Sequence, residues 1–187
     1  MRITLISLII LFLSSCSLTY LNQDVETLSY EDYKKTLSLK TFDKFKLNGK
    51  LSLFIDDKGY AGKIIWGYKN NKDTIYILNP FNTQIAEIIL IAQENKVFLR
   101  FTKNNSKDSK ELISRILGDK ENLFLMKKFI LNPPYQITNG KKVIINFKNW
   151  KIIYQGNKLL KNQLLPDTIE FKKNNINLKL FVSDWVS

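Results

Sequence analysis

Between Phe45 and Thr102 apolar residues recur at every second position, in short runs broken by turn residues. A side-chain period of two belongs to a strand with one buried face, so this stretch can be little other than a sheet. Phe45, Leu47, Gly49, Leu51, Leu53 and Ile55 alternate with Lys46, Asn48, Lys50 and Ser52. Asp56-Asp57-Lys58-Gly59 has the composition of a hairpin turn, with Gly59 expected to supply the positive φ. The return strand Tyr60–Tyr68 puts Tyr60, Gly62, Ile64, Trp66 and Tyr68 on one side. Asn70-Asn71-Lys72 turns into Ile75–Leu78, and Asn79-Pro80-Phe81-Asn82 turns again with a large apolar residue at its tip. Thr83–Ala92 and Lys96–Thr102 follow, separated by Gln93-Glu94-Asn95. The result is an antiparallel meander of five consecutive strands.

The period changes on either side. Ser29–Phe42 is expected to be a helix, with Ser29 and Asp32 spaced as a capping box and Tyr30, Tyr33 and Leu37 roughly on one face. Ser106–Leu117 carries Leu112, Ile113, Ile116 and Leu117 as a helical stripe, with Gly118 as its stop. Asp119 can cap a second helix to Leu131, bearing Leu123, Met126, Phe129 and Ile130 and ended by Pro133-Pro134. Strands resume at Lys142–Phe147, Trp150–Gln155, Thr168–Lys172 and Ile176–Val182. The fold class is therefore mainly β with helices, about nine antiparallel strands around a helical insertion. Bare edges invite aggregation, so a strongly curved sheet with helices over its mouth is the simplest arrangement. Its interior would be lined by every second residue, and Trp66, Tyr68, Tyr76, Phe98, Trp150 and Tyr154 are available to line it. Whether those aromatics border a cavity or fill a solid core stays open at this level.

The chain begins with basic Arg2, an apolar run from Ile3 to Leu13 interrupted by Thr4 and Ser7, two serines, and Cys16, its only cysteine. That run is too short to span a bilayer, which takes about 20 residues, and fits a secretory signal with a small-residue cleavage site. The segment is similar to the bacterial lipoprotein box. That resemblance implies a Cys16 carrying a diacylglycerol and an N-acyl group, and no other cofactor; the alternative is an exported protein with an incidental thiol. The expected division is a signal at 1–15, a lipidated polar tether at 16–23 and a single domain over 24–187, with no internal disulfide to stabilise it. The absence of histidine excludes Ser-His-Asp and Cys-His catalysis and the usual imidazole zinc sites. Asp56-Asp57 has the context of a turn rather than of an acid/base pair, and neither a Gly-rich phosphate loop nor metal-ligand spacing is present. Net charge is +12 over the whole sequence and about +11 without residues 1–15. Such a balance favours anionic partners, and export argues against nucleic acid. Lys127-Lys128 and Lys141-Lys142 are expected on solvated faces.

The ordered landmarks resemble the outer-membrane lipoprotein receptor family LolB. They begin with Phe45-Lys46-Leu47-Asn48-Gly49-Lys50-Leu51, similar to that family's opening strand, and Ile64-Ile65-Trp66 at the end of its second. Asn79-Pro80-Phe81 stands where members often show Asn-Pro-Leu-Gly. Glu111-Leu112-Ile113 through Lys128-Phe129-Ile130-Leu131 into Asn132-Pro133 resembles the helix pair, and Trp150-Lys151-Ile152-Ile153-Tyr154 a later strand. Leu165-Pro166 before a last hairpin, Leu178-Lys179-Leu180 and a terminal Asp184-Trp185 complete the series. Two departures stand at the tip. Phe81 for leucine keeps a large apolar side chain, whereas Asn82 for glycine bears on the loop backbone.

The resemblance implies an open half-barrel with a helical lid over an apolar cavity. It implies a non-enzymatic, outer-membrane-anchored, periplasm-facing receptor that accepts lipoproteins from a LolA-like carrier and inserts them into the outer membrane of a Gram-negative cell. The implied partners are that carrier, cargo acyl chains and outer-membrane phospholipids, with the protein a monomer. Pro80 and Phe81 would form a membrane-contacting loop, and Ser17, not aspartate, after Cys16 would permit release from the inner membrane. The rival is a lipid-binding or structural outer-membrane lipoprotein of similar shape without transfer activity.

Overall fold

The computed structural model describes residues 24–36, 44–56, 58–94, 96–103, 105–160 and 163–186. Cys16, the apolar run before it and the tether after it lie outside the described residues, as does the second half of the expected leading helix.

The strands in chain order are β1 (Val25–Leu28), β2 (Lys44–Ile55), β3 (Lys58–Lys69), β4 (Lys72–Leu78), β5 (Gln84–Ile91), β6 (Lys96–Phe101), β7 (Lys142–Phe147), β8 (Trp150–Leu160), β9 (Gln163–Lys173) and β10 (Ile176–Val186). Helix α1 (Tyr30–Thr36) precedes β2, and α2 (Lys107–Leu117) and α3 (Lys120–Leu131) lie between β6 and β7. All ten strands form one sheet in the order β1-β7-β8-β9-β10-β2-β3-β4-β5-β6. The β2–β6 meander and the β7–β10 meander meet where β10 pairs antiparallel with β2. Edge strands β1 and β6 do not pair with each other, so the sheet is open. A sheet of this breadth curls, and here it curls around its helices.

Local chemistry accounts for most of the turns. Asn70 and Asn71, at φ +53 and +59, form the two-residue β3–β4 connection that demands left-handed residues. The β2–β3 hairpin corrects one expectation. Ile55 already pairs with Lys58, the positive φ falls on Asp56, and Gly59 lies inside β3 opposite Phe54. A Cβ at Gly59 would come within 2.7 Å of the Phe54 ring, so the glycine makes room for an aromatic rather than a turn. Gly118 does end α2 but in right-handed geometry; a Cβ there would approach Ser114 O to 2.4 Å. The cap on α3 forms as expected; on α1 the Ser29 half of the capping box forms, while the Asp32 carboxylate accepts from the Ser29 hydroxyl at 2.6 Å rather than from its backbone amide. Ser29 Oγ accepts from Asp32 N at 3.1 Å, and Asp119 Oδ1 accepts from Glu121 N at 2.7 Å.

Strand alternation places the core on one face. Leu47, Leu51, Leu53, Ile64, Trp66, Ile75, Ile77, Ile88 and Leu90 from the first meander turn inward, as do Ile145, Ile152, Tyr154, Phe171, Leu178 and Leu180 from the second. Against them pack Leu112, Ile113, Ile116 and Leu117 of α2 and Leu123, Met126, Phe129 and Ile130 of α3. The concave side is thus covered by helices, and the convex side carries most of the strand lysines together with exposed apolar residues such as Phe54, Phe98 and Phe181.

Candidate functional site

Two features stand out: the helix-covered concave face, and the tip joining β4 to β5.

On the concave face the two helices are held in different ways. Asp73 at the start of β4 is fully buried, and its Oδ1 accepts from Trp66 Nε1 at 2.9 Å. Lys127 of α3 reaches in from above and meets Asp73 Oδ2 at 2.9 Å, with its ammonium 3.5 Å from the Tyr68 ring centroid. This ion pair excludes most water, since Lys127 itself is only 17 % exposed. The expectation of a solvated Lys127 is therefore corrected; Lys128 caps the Tyr30 hydroxyl instead. At the far end of α3, Tyr154 donates its hydroxyl to Phe129 O at 2.8 Å, and Tyr33 donates to Asn132 O at 2.6 Å. Burial pushes the phenol pKa of both tyrosines upward. Tyr33 also stacks on Phe129 at 5.1 Å. Helix α2 has no comparable buried polar anchor among the described residues. Beyond its apolar stripe it offers Asp108 and Glu111 to Lys58, both at 3.3 Å and exposed.

The six aromatics expected to line an interior divide three ways. Trp66, Tyr154 and Trp150 are buried on the concave side, within one packed core. Tyr68 lies at its margin, stacked on Phe45 under Lys127. Tyr76 and Phe98 are corrections: both point to the convex face, because Asp73, Ile75 and Ile77 take the inward register of β4 and Val97, Leu99 and Phe101 that of β6. Phe98 is 44 % exposed. The concave face is filled, among the described residues, by α2 and α3 side chains rather than by the aromatics alone.

At the tip, Asn79 Oδ1 accepts from Phe81 N and Thr83 N, both at 2.9 Å, and Asn82 N donates to Asn79 O at 3.0 Å. Pro80 fixes its own φ, and Asn82 takes φ +66. Asparagine tolerates that left-handed geometry, so the position normally glycine in the resembled family is accommodated without redesign of the turn. The bonded backbone holds Phe81 out into solvent, 86 % exposed, the most exposed of the large apolar side chains described.

The buried Asp73–Lys127 pair is the element that sequence reasoning missed. Its signal was present: Asp73 shares the parity of Ile75 and Ile77, and Lys127 lies one helical turn from Leu123 and Ile130. Among the described residues no group of three or more His, Cys, Asp or Glu could hold a metal ion, and no helix is long and apolar enough to cross a membrane.

A family model described as "Outer membrane lipoprotein LolB" matches residues 43–185. An outer-membrane lipoprotein LolB of Nitrosomonas europaea is 22 % identical over 160 aligned positions, covering 76 % of this chain and 73 % of its own. The protein of the same name from Tolumonas auensis is 22 % identical and covers 94 % and 92 %. That from Francisella tularensis is 25 % identical and covers 95 % and 90 %.

Proposed function

The chain belongs to the LolB family of outer-membrane lipoproteins, and from that premise we propose that it takes lipoproteins from a LolA-like periplasmic carrier and releases them into the outer membrane. Cys16, lipidated, anchors the domain to the membrane with its concave face in the periplasm. Cargo acyl chains enter between the helices and the concave sheet, along Trp66, Trp150 and Tyr154, while Pro80 and Phe81 touch the bilayer and guide release.

The physical need is large. Each exposed methylene costs about 0.8 kcal/mol, so one acyl chain of about 14 methylenes costs on the order of 10 kcal/mol in water. Transfer without nucleotide requires only that each successive apolar environment bind the chains more tightly. What carries the reading is the construction of the concave face: an apolar sheet closed by short helices and not by further strands. Helices that cover apolar surface can be displaced by other apolar surface with little net cost, whereas strands cannot leave without breaking a ladder. Of the two, α2 is the one that yields, because surface ion pairs such as those of Lys58 are worth only about 0–1 kcal/mol.

The test mixes the protein with a purified carrier–lipoprotein complex and separates the two by affinity tag. Cargo passing to this protein, and onward to added liposomes, is the expected result. Cargo remaining on the carrier at equilibrium refutes transfer and leaves the non-transferring rival.

A further inference from the structure

Along the convex face of β2, β3 and β4 the chemistry changes from row to row. The outermost row is Lys44, Lys69 and Lys72, directly opposed across three neighbouring strands. Like charges placed opposite one another destabilise a sheet, and among the described residues no side-chain ion pair or hydrogen bond is made by the ammonium of any of these lysines or of nearby Lys46. The next row is Lys46, Gly67 and Thr74, and the next is Asn48, Ile65 and Tyr76. All of these but Asn48 line a groove of about 780 Å³. Within the groove the lysines gather at one end and Ile65 and Tyr76 lie at the other, with Gly67 between them, and that polarity matches an amphiphile with an anionic head; beyond it the face turns basic again at Lys50 and Lys63.

Gly67 is the second observation. A glycine inside a strand weakens it and often marks the close approach of a ligand. Elsewhere in this sheet the glycines are required sterically, since a Cβ would lie 2.6 Å from Phe181 O at Gly49 and 2.2 Å from Leu78 O at Gly62. At Gly67 the nearest atom is 3.9 Å away, and its φ is not positive. The fold has room for a side chain there; the groove is what one would fill.

We propose that this groove binds one anionic membrane phospholipid, its phosphate among Lys44, Lys46, Lys69 and Lys72 and its acyl portion over Gly67, Ile65 and Tyr76. A free anion would leave the apolar row unused, and the acylated cysteine of a lipoprotein cargo has no phosphate for the lysine row. Ile65 also lines a second shallow groove, with Lys50, Lys63 and Asn82, nearer the Phe81 tip. The site is separate from the concave face and stands whether or not cargo transfer does.

The experiment is an NMR titration of the protein with dihexanoyl phosphatidylglycerol below its micelle concentration, with dihexanoyl phosphatidylcholine and glycerol phosphate as parallel arms. Saturable binding of the phosphatidylglycerol is expected, with amide shifts centred on residues 65–69, about tenfold or more tighter than either comparison. G67L should weaken it by about tenfold or more at unchanged charge. The double substitution K69Q/K72Q should weaken it similarly while raising thermal stability slightly, because it removes the opposed charges. Equal affinity for phosphatidylcholine, equal affinity for glycerol phosphate, or phosphatidylglycerol binding untouched in both variants would each overturn the proposal.

Discussion

Phe81 is exposed because of its neighbours: Pro80 stiffens the turn, and Asn79 satisfies two backbone amides with one side-chain oxygen. Nothing in the core depends on the ring. Phe81→Glu should therefore change unfolding free energy by less than about 0.5 kcal/mol. It should leave cargo acceptance intact yet slow insertion into anionic liposomes about tenfold or more, since a large apolar side chain contributes about 1.5–3 kcal/mol when buried. Equal insertion rates for variant and parent would remove the tip from the mechanism. Legibility at this scale followed parity. Trp66 and Tyr154 were readable as inward because Trp66 shares the parity of Ile64 and Tyr68, and Tyr154 that of Trp150 and Ile152, with lysines (Lys63, Lys151) on the other. Tyr76 and Phe98 were not, because Ile75-Tyr76-Ile77-Leu78 and Val97-Phe98-Leu99 are apolar on both faces and the single inward aspartate, Asp73, inverts the usual cue.

At the scale of elements the two covering helices differ in how firmly they sit. Removing the ammonium with Lys127→Met leaves Asp73 buried without its partner, which costs about 3–5 kcal/mol. The double variant D73N/K127M should recover much of that loss in urea denaturation. A cost below about 1 kcal/mol for Lys127→Met would mean that the pair does not fix α3. The phenols beneath the same helix give a pH signature. Burial raises the pKa of Tyr33 and Tyr154 above the unfolded value near 10. Above that pH the unfolded chain loses protons that the fold retains, so stability is full below about pH 10 and falls as pH rises, by about 1.4 kcal/mol per unit for each phenol. Tyr154→Phe should lower the loss of stability between pH 10 and 11 by about 1 kcal/mol; identical losses would show that Tyr154 ionises freely in the fold. The helices themselves were legible from their 3.6 period and caps. Strand β1 was not: four residues with only Leu28 buried, paired parallel to β7, carry neither alternation nor a hairpin turn. Strands β8 and β9 run beyond the segments their periodicity suggested, carrying Pro166 within the ladder opposite Asn157 beside Gly156 at φ +67.

At the scale of the whole molecule, one open sheet presents two unlike surfaces. The concave surface is apolar and helix-covered, and the convex surface gathers Lys44, Lys46, Lys50, Lys63, Lys69 and Lys72 on three adjacent strands. Part of the basic excess thus has a place on the convex face, its outermost row at the end of β4 away from the Phe81 tip. The overall architecture was legible because alternation, turn residues and helix caps all agree. The packed state of the concave face was not, because a period of two says which side is buried and not what buries it. The central claim is that cargo lipid enters that face. The direct measurement is photolabelling, with a lipoprotein whose acyl chain carries a diazirine, delivered from the carrier and followed by mass spectrometry of the labelled peptides. Label on α2 and the strand bearing Trp66, around Leu112, Ile116 and Trp66, is the expected outcome. Label confined to the convex groove around Tyr76, or to neither face, would contradict it.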